Sequence, residues 1–344
     1  MKILHVIRSS GFAGAERHIA VLASGQQQAG HDVRVVGGEP VAMRSALVDG
    51  VELVVAGDRV LPVARAVHHA ADGADVVHVH MTAAEIAVSL AGTVRRDFPP
   101  VVATRHFAAP RGRGPLGPLG AGVARRLVQE QIAISRFVQQ SIDGGSVVVY
   151  AGTEDQPDSF PQRTRPRQIL MAQRLEPEKH ADLGLEAFAR AGLASDGWTL
   201  TIAGDGTERA SLEHQASRLG VDGSTEFVGR VSDLPDRLGQ AAIFLAPTPG
   251  EHFGLSVIEA MAAGTPVVAD GSGGHLESLG TVGSAGLFAS RDAEAAAARL
   301  RQLADSESDR DLLGAGLQAR QREMFTVERQ VTATDAVYRQ VVAR

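Results

Sequence analysis

Two glutamates, Glu251 and Glu259, bracket the turn Glu251-His252-Phe253-Gly254-Leu255-Ser256. A carboxylate so placed accepts two hydroxyl protons at once, which suits it to sugar hydroxyls. Apolar spacing from Leu255 to Ala263 predicts a helix that opens near Gly254 to Ser256 and stops at Gly264. Its first amides have no intrahelical partner and sit at the positive end of the macrodipole, so they form a natural seat for a phosphate. Gly254 lets a ligand approach the backbone. The same residues also spell Ser256-x-x-Glu259, a capping box that needs no ligand, and taken alone the stretch supports both readings equally. Arg174-Leu-Glu-Pro-Glu-Lys179 offers a guanidinium fork and an ammonium after a strand, the charges that a diphosphate requires. Exposed charges on a turn are the plainer alternative. Lysine occurs only at Lys2 and Lys179, so 32 of the 34 basic residues are arginine; such a skew fits genomic bias and sets Lys179 apart.

Weaker signals lie elsewhere. Gly11-Phe-Ala-Gly14-Ala-Glu16 opens the first helix after the first strand and can present amides to an anion, yet it lacks the third glycine of the dinucleotide fingerprint. Gly204-Asp205-Gly206 and Phe227-Val228-Gly229-Arg230 each end a strand and can be plain turns. Gly273-Gly274-His275 resembles an anion-binding nest. Among twelve histidines, His106 in Thr104-Arg-His-Phe is the best chemical candidate because it follows a strand. His78-Val-His80 has the look of a metal pair, but residues two apart on a strand share a face for structural reasons, and no further ligand completes a site. Asp309-Arg-Asp311 falls in a charged helical segment. No metal site is therefore expected.

These residues need strands and helices to hold them. Short Val/Ile-rich runs alternate with Ala/Leu-rich segments along both halves, which predicts an α/β fold of two Rossmann-like doubly wound parallel-sheet domains facing across a cleft. Domain limits are expected at 1–160 and 161–325, with a linker rich in Pro, Asp, Gln and Arg over 152–167 and a last helix, 326–344, as a separate element. The 44% hydrophobic and 22% charged content is that of a globular chain with no membrane-spanning run. The absence of cysteine excludes thiolate chemistry, and the net charge of -6 argues against nucleic acid as a partner. Met1 leads straight into a strand rather than a secretory signal, so a cytoplasmic protein is expected, with membrane association peripheral at most. Residues 98–129 carry Arg105, Arg111, Arg113, Arg125 and Arg126 and no acid; with the Gly/Pro-rich 108–122 stretch this predicts a loop over an anionic acceptor.

Jointly the motifs resemble the retaining glycosyltransferases with the two-Rossmann, GT-B type fold called glycosyltransferase family 4, over nearly the whole chain. The resemblance implies transfer of a sugar from a nucleotide diphosphate sugar, UDP favoured over GDP, to a hydroxyl acceptor by a metal-independent front-face mechanism, without a cofactor. It implies that Glu259 holds the ribose and Glu251 the donor sugar, and that Phe253, Gly254, Leu255 and Ser256 offer backbone amides. Arg174 and Lys179 would neutralise the diphosphate. Gly14 would lie beneath the phosphates, Gly204 would belong to the nucleotide-sugar site, Val228 or Arg230 would flank the base, and His106 would sit near the reacting sugar. The final helix would cross back to the first domain. Antibiotic-pathway members of the family imply a natural-product glycoside as one acceptor. His252 stands where the family usually has glycine, and Ala151-Gly-Thr-Glu154 replaces its Asn-Gly-Val-Asp. A nucleotide-sugar epimerase of the same fold and a non-catalytic nucleotide-sugar-binding subunit are the alternatives; a sugar phosphorylase would need no nucleotide.

Overall fold

The computed structural model describes residues 1–111, 122, 126–157 and 162–344. Arg113, Arg125 and most of the expected acceptor loop lie outside the described residues. The chain divides into two compact units, one formed by Met1–Gly152 with Thr326–Arg344 and the other by Thr153–Phe325.

The first unit is built on seven parallel strands: β1 (Lys2–Val6), β2 (Asp32–Val36), β3 (Glu52–Val54), β4 (Val76–His80), β5 (Val101–Arg105), β6 (Val128–Ala133) and β7 (Val147–Val148). Their order is β3-β2-β1-β4-β5-β6-β7, which reverses between β1 and β4. Every residue of β4 and β5 is buried, as expected of strands covered on both faces. Side-chain alternation sorts the two faces. On one, Leu4, Val6, Val77, Val79, Val101 and Ala103 pack with helix residues such as Val63, Val67 and Val88. On the other, Ile3, Val76, Val102 and Ile132 meet Val337, Tyr338 and Val341 of the last helix, Val327–Val342. That helix thus belongs to the first unit's core. Burying side chains of this size contributes roughly 1.5–3 kcal/mol each, so the last helix is an integral layer of this unit.

Two arginines of the basic block turn inward. The Arg111 guanidinium donates to both oxygens of Glu85, at 2.5 and 3.0 Å, and to Asp143 at 3.2 Å, while Arg105 donates to Gln131 at 2.9 Å and Asp143 at 3.3 Å. Both side chains are almost fully buried. The charge of these two side chains is spent within the unit, on acids that fall outside residues 98–129, so they are not the part of the basic block that an anionic acceptor would meet.

The second unit carries six parallel strands: β8 (Gln168–Ala172), β9 (Thr199–Ala203), β10 (Thr225–Gly229), β11 (Ile243–Ala246), β12 (Val267–Asp270) and β13 (Leu287–Phe288). The order β10-β9-β8-β11-β12-β13 reverses between β8 and β11. The unit starts at Thr153 because that segment is tied to the Glu307–Met324 helix and the residue after it: Thr153 N–H donates to the Phe325 carbonyl at 2.9 Å, Arg322 to Asp155 at 2.8 Å and Gln318 to the Pro157 carbonyl at 3.1 Å.

Candidate functional site

In open parallel sheets, ligands bind beyond the carboxyl ends of the strands where the order reverses. In the second unit that place is the gap between β8 and β11. The segment after β8 holds Arg174 and Lys179, and the loop after β11 holds Glu251. Lys179 Nζ and Glu251 Oε2 lie 2.5 Å apart, both largely shielded from solvent. Thr248 and Gln173, neither singled out from the sequence, fasten this arrangement: Thr248 Oγ1 donates to the Lys179 carbonyl at 3.1 Å and Gln173 Nε2 to the same oxygen at 2.9 Å. His180, the next residue, adopts a left-handed φ of 49°, a conformation that costs a non-glycine residue about 1–3 kcal/mol.

Glu251 Oε1 accepts from the His252 N–H at 2.9 Å. Burial alone would push the Glu251 carboxyl up, but the Lys179 ammonium together with the His275 and His252 rings outweighs it and holds the group at about 2. Since the folded value lies below the ordinary one, the pair stabilises the protein fully above about pH 4.5 and loses that contribution as pH falls towards 2. A depression of this size is worth about 3 kcal/mol. Acid-induced loss of thermal stability between pH 4.5 and 2 is therefore expected to be visibly shallower in Lys179→Ala than in the parent, measured by calorimetry across that range. Parallel curves would contradict the pairing.

The helix predicted after this loop spans Leu255–Ala262, with Gly254 as its N-cap at φ 90°. No side chain caps it, and Ser256 is the second helical residue, so the capping box is not formed. The first-turn amides at Leu255 and Ser256 keep the geometry of an anion seat. A Cβ on Gly254 would stand 3.1 Å from the His275 ring, so a side chain there would crowd the imidazole. His275 Nδ1 donates to the Asp270 carbonyl at 3.1 Å, and burial holds the ring below its ordinary basicity. Phe253 is buried edge-on to Phe325, with centroids 5.6 Å apart. Glu259 lies half-buried one turn inside the helix.

Other expected residues are placed less centrally. Arg174 is exposed and pairs with Glu178 at 2.8 Å rather than with the Lys179–Glu251 pair. Gly204 ends β9 with φ 143°, and a Cβ there would fall 1.8 Å from the Gln173 carbonyl oxygen, so glycine is demanded by backbone approach between neighbouring strand ends. Val228 is half-buried on the edge strand β10, and Arg230 is exposed just beyond it. The Gly273-Gly274 pair, read as an anion nest, serves a packing need: Cβ atoms there would collide with the backbone of Gly250 to Phe253. Ser272 also holds that loop, accepting from the Gly250 N–H at 2.8 Å.

In the first unit, Gly14 opens the Gly14–Gln28 helix in an exposed turn stapled by Glu16, which accepts from the Ala13 N–H at 2.9 Å and the Ser9 hydroxyl at 2.5 Å. His106 follows β5 and is buried. It is not alone. His5, His18, His78, His80 and His106 gather where the strand order reverses, all buried, and the nitrogens within His5/His78/His80 and within His18/His80/His106 lie within 4.8 Å of one another. The expectation that His78 and His80 find no further histidines is thus corrected, since β1 and β4 are neighbours and place His5 opposite His78. Burial lowers His5 and His18 to about 4, and His78 and His80 lie well below the ordinary range for the same reason. These rings are neutral at physiological pH.

Residues 152–319 match the family described as glycosyl transferases group 1, and residues 12–153 match glycosyltransferase family 4. The chain is 29% identical over 308 residues to the phosphatidyl-myo-inositol mannosyltransferase of Mycobacterium tuberculosis, covering 76% of this chain and 78% of that one. It is 43% identical over 108 residues to a GDP-mannose-dependent phosphatidylinositol dimannoside mannosyltransferase of the same species, 30% of this chain and 27% of the relative. Several curated relatives match only in part, and the chain spans between 13% and 43% of their length. The crystal structure of Anabaena HepE in complex with UDP and glucose shares the fold, with a TM-score of 0.81 at 21% identity over 98% of this chain and 99% of that one. The chain thus has the two-Rossmann, GT-B type fold, its first part similar to glycosyltransferase family 4 and its second to the group 1 glycosyl transferases.

Proposed function

We propose that the protein is a retaining glycosyltransferase that takes a sugar from a nucleotide diphosphate sugar to a hydroxyl acceptor. The observation that carries this reading is the Lys179–Glu251 pair beside an uncapped helix N-terminus at the second unit's strand-order reversal. There the Leu255 and Ser256 amides and Lys179 receive the diphosphate, Arg174 swings from Glu178 to join them, and Glu259 accepts from the ribose hydroxyls. Glu251, ionised at any physiological pH, accepts from hydroxyls of the donor sugar. Val228 and Arg230 flank the base and Gly204 shapes the floor. In the first unit, Gly14 and His106 are the residues that the family resemblance assigns to phosphate and sugar. As the bond to the leaving phosphate breaks, fixed cations and amides offset the growing charge, so no divalent ion is required. The acceptor hydroxyl attacks from the face the phosphate leaves, and its proton passes to a phosphate oxygen.

UDP is the nucleotide favoured here. A GDP-mannose donor is the second reading, favoured by the name of the relative with 43% identity over 108 residues. The acceptor is a hydroxyl compound, with natural-product glycosides of antibiotic pathways one class and anionic or membrane-surface acceptors another. No helix among the described residues is long and apolar enough to cross a membrane, and we place the reaction in the cytoplasm. Incubation with UDP- and GDP-sugars and an acceptor panel, with excess EDTA in one arm, tests the proposal. A new glycoside that keeps the donor's anomeric configuration, formed at nearly the same rate with EDTA, is expected. A donor epimer in place of a glycoside would establish the epimerase alternative. Binding without turnover would establish the non-catalytic subunit, and activity lost to EDTA and restored by magnesium or manganese would overturn the metal-independent mechanism.

A further inference from the structure

The buried histidines are joined by hydrogen bonds whose direction can be worked out from one end. Asp335, on the last helix, presents carboxylate oxygens that accept: Oδ2 from His31 Nε2 at 2.8 Å and Oδ1 from Gln26 Nε2 at 3.4 Å. That fixes the Gln26 amide, because the reverse orientation would set its carbonyl oxygen against a carboxylate oxygen. Gln26 Oε1 therefore faces His5 Nε2, 2.7 Å away, and His5 must donate from Nε2. A neutral imidazole has one N–H and one lone pair. So His5 Nδ1 is an acceptor, and His80 Nε2, at 3.0 Å, is the donor to it. His80 Nδ1 is then an acceptor in turn, and His106 Nε2, at 3.2 Å, donates to it.

We infer that Asp335, Gln26, His5 and His80 are positioning residues that hold His106 with its Nε2–H donating to His80, which sets the orientation of that ring. That this ring acts in sugar transfer rests on the glycosyltransferase reading; the tautomers of His5 and His80 do not. The chain runs from the last helix through the Gly14–Gln28 helix, β1 and β4 to the residue after β5. Burial keeps the His5 and His80 rings uncharged, so each has a single N–H to place. His78 does not set the direction, since its nitrogens meet the hydroxyls of Tyr338 at 2.6 Å and Thr104 at 2.7 Å, and a hydroxyl takes either role. His18 meets Gln330 at 3.2 Å and lies edge-on to His106. The same assignment leaves His80 without a lone pair for a metal, one nitrogen donating and the other accepting.

The test is a long-range proton–nitrogen correlation spectrum of the full chain carrying nitrogen-15 histidine, with rings assigned through single substitutions. Nε2–H tautomers at His5, His80 and His106 are expected. An Nδ1–H tautomer or a doubly protonated ring at His80 or His106 would overturn the assignment, as would stoichiometric zinc, nickel or copper in the isolated protein. Gln26→Leu removes the far anchor and is expected to leave His106 as a mixture of tautomers; an unchanged spectrum would refute positioning. In transfer assays His80→Leu is expected to lower kcat roughly tenfold with donor KM within about twofold. His80→Asn, whose side-chain oxygen stands near the lost Nδ1, should restore most of it, and equal losses in both variants would count against the chain. Because the spectra need no substrate, absence of transfer beside the expected tautomers would overturn the glycosyltransferase reading alone.

Discussion

Lys179→Ala is expected to slow sugar transfer by about a hundredfold to a thousandfold, the loss that follows removal of a charge contact made to the leaving group in the transition state. Two effects add. The diphosphate loses an ammonium, and the Glu251 carboxylate, 2.5 Å from that ammonium in the parent, is left buried and uncompensated beside an anionic ligand. Initial rates at saturating acceptor, with donor varied, measure it. A fall of less than about threefold would remove Lys179 from the chemistry. Arg174→Ala makes an instructive contrast, since Arg174 is exposed and paired with Glu178 four residues on. Such a pair contributes only about 0.3–0.5 kcal/mol to stability, so any large loss of rate there would report that bound donor recruits the guanidinium.

Glu85→Ala is expected to destabilise the protein by about 3–5 kcal/mol, because removing one partner of a buried ion pair leaves the other charged in a dry site. Arg111 donates to both Glu85 oxygens and also reaches Asp143. Asp143 softens the loss without replacing a two-point contact. Urea unfolding of parent and variant gives the difference directly. A change below about 1 kcal/mol would mean that Asp143 or solvent carries the arginine.

The strands were the most legible part of the chain, because β1, β2, β4, β5, β8, β9, β11 and β12 are short runs whose buried residues are mostly apolar. The strand β13 was not, since two residues carry no period, and the short helices Pro40–Ala46 and Val60–Ala70 lie between clearer segments. At the site, the helix start was legible but its cap was ambiguous: whether Ser256 or Gly254 occupies the cap depends on a shift of two residues that spacing does not resolve. Long-range partners were harder. Arg105 and Arg111 look like an unbalanced basic block only while Glu85 and Asp143 are out of view. His5 and His78 are 73 positions apart, yet the doubly wound strand order makes β1 and β4 neighbours, so combining topology with strand parity would have found the cluster.

Nucleotide binding is the most direct test, because it needs neither the sugar nor the acceptor to be known. UDP and GDP titrated calorimetrically into the full chain without added metal should show one of them binding. Glu259→Ala should weaken that binding about tenfold to a hundredfold, as expected for losing a hydrogen bond to a charged group. Failure of both nucleotides to bind the parent, or equal affinity in the variant, would contradict the placement of the donor on the second unit.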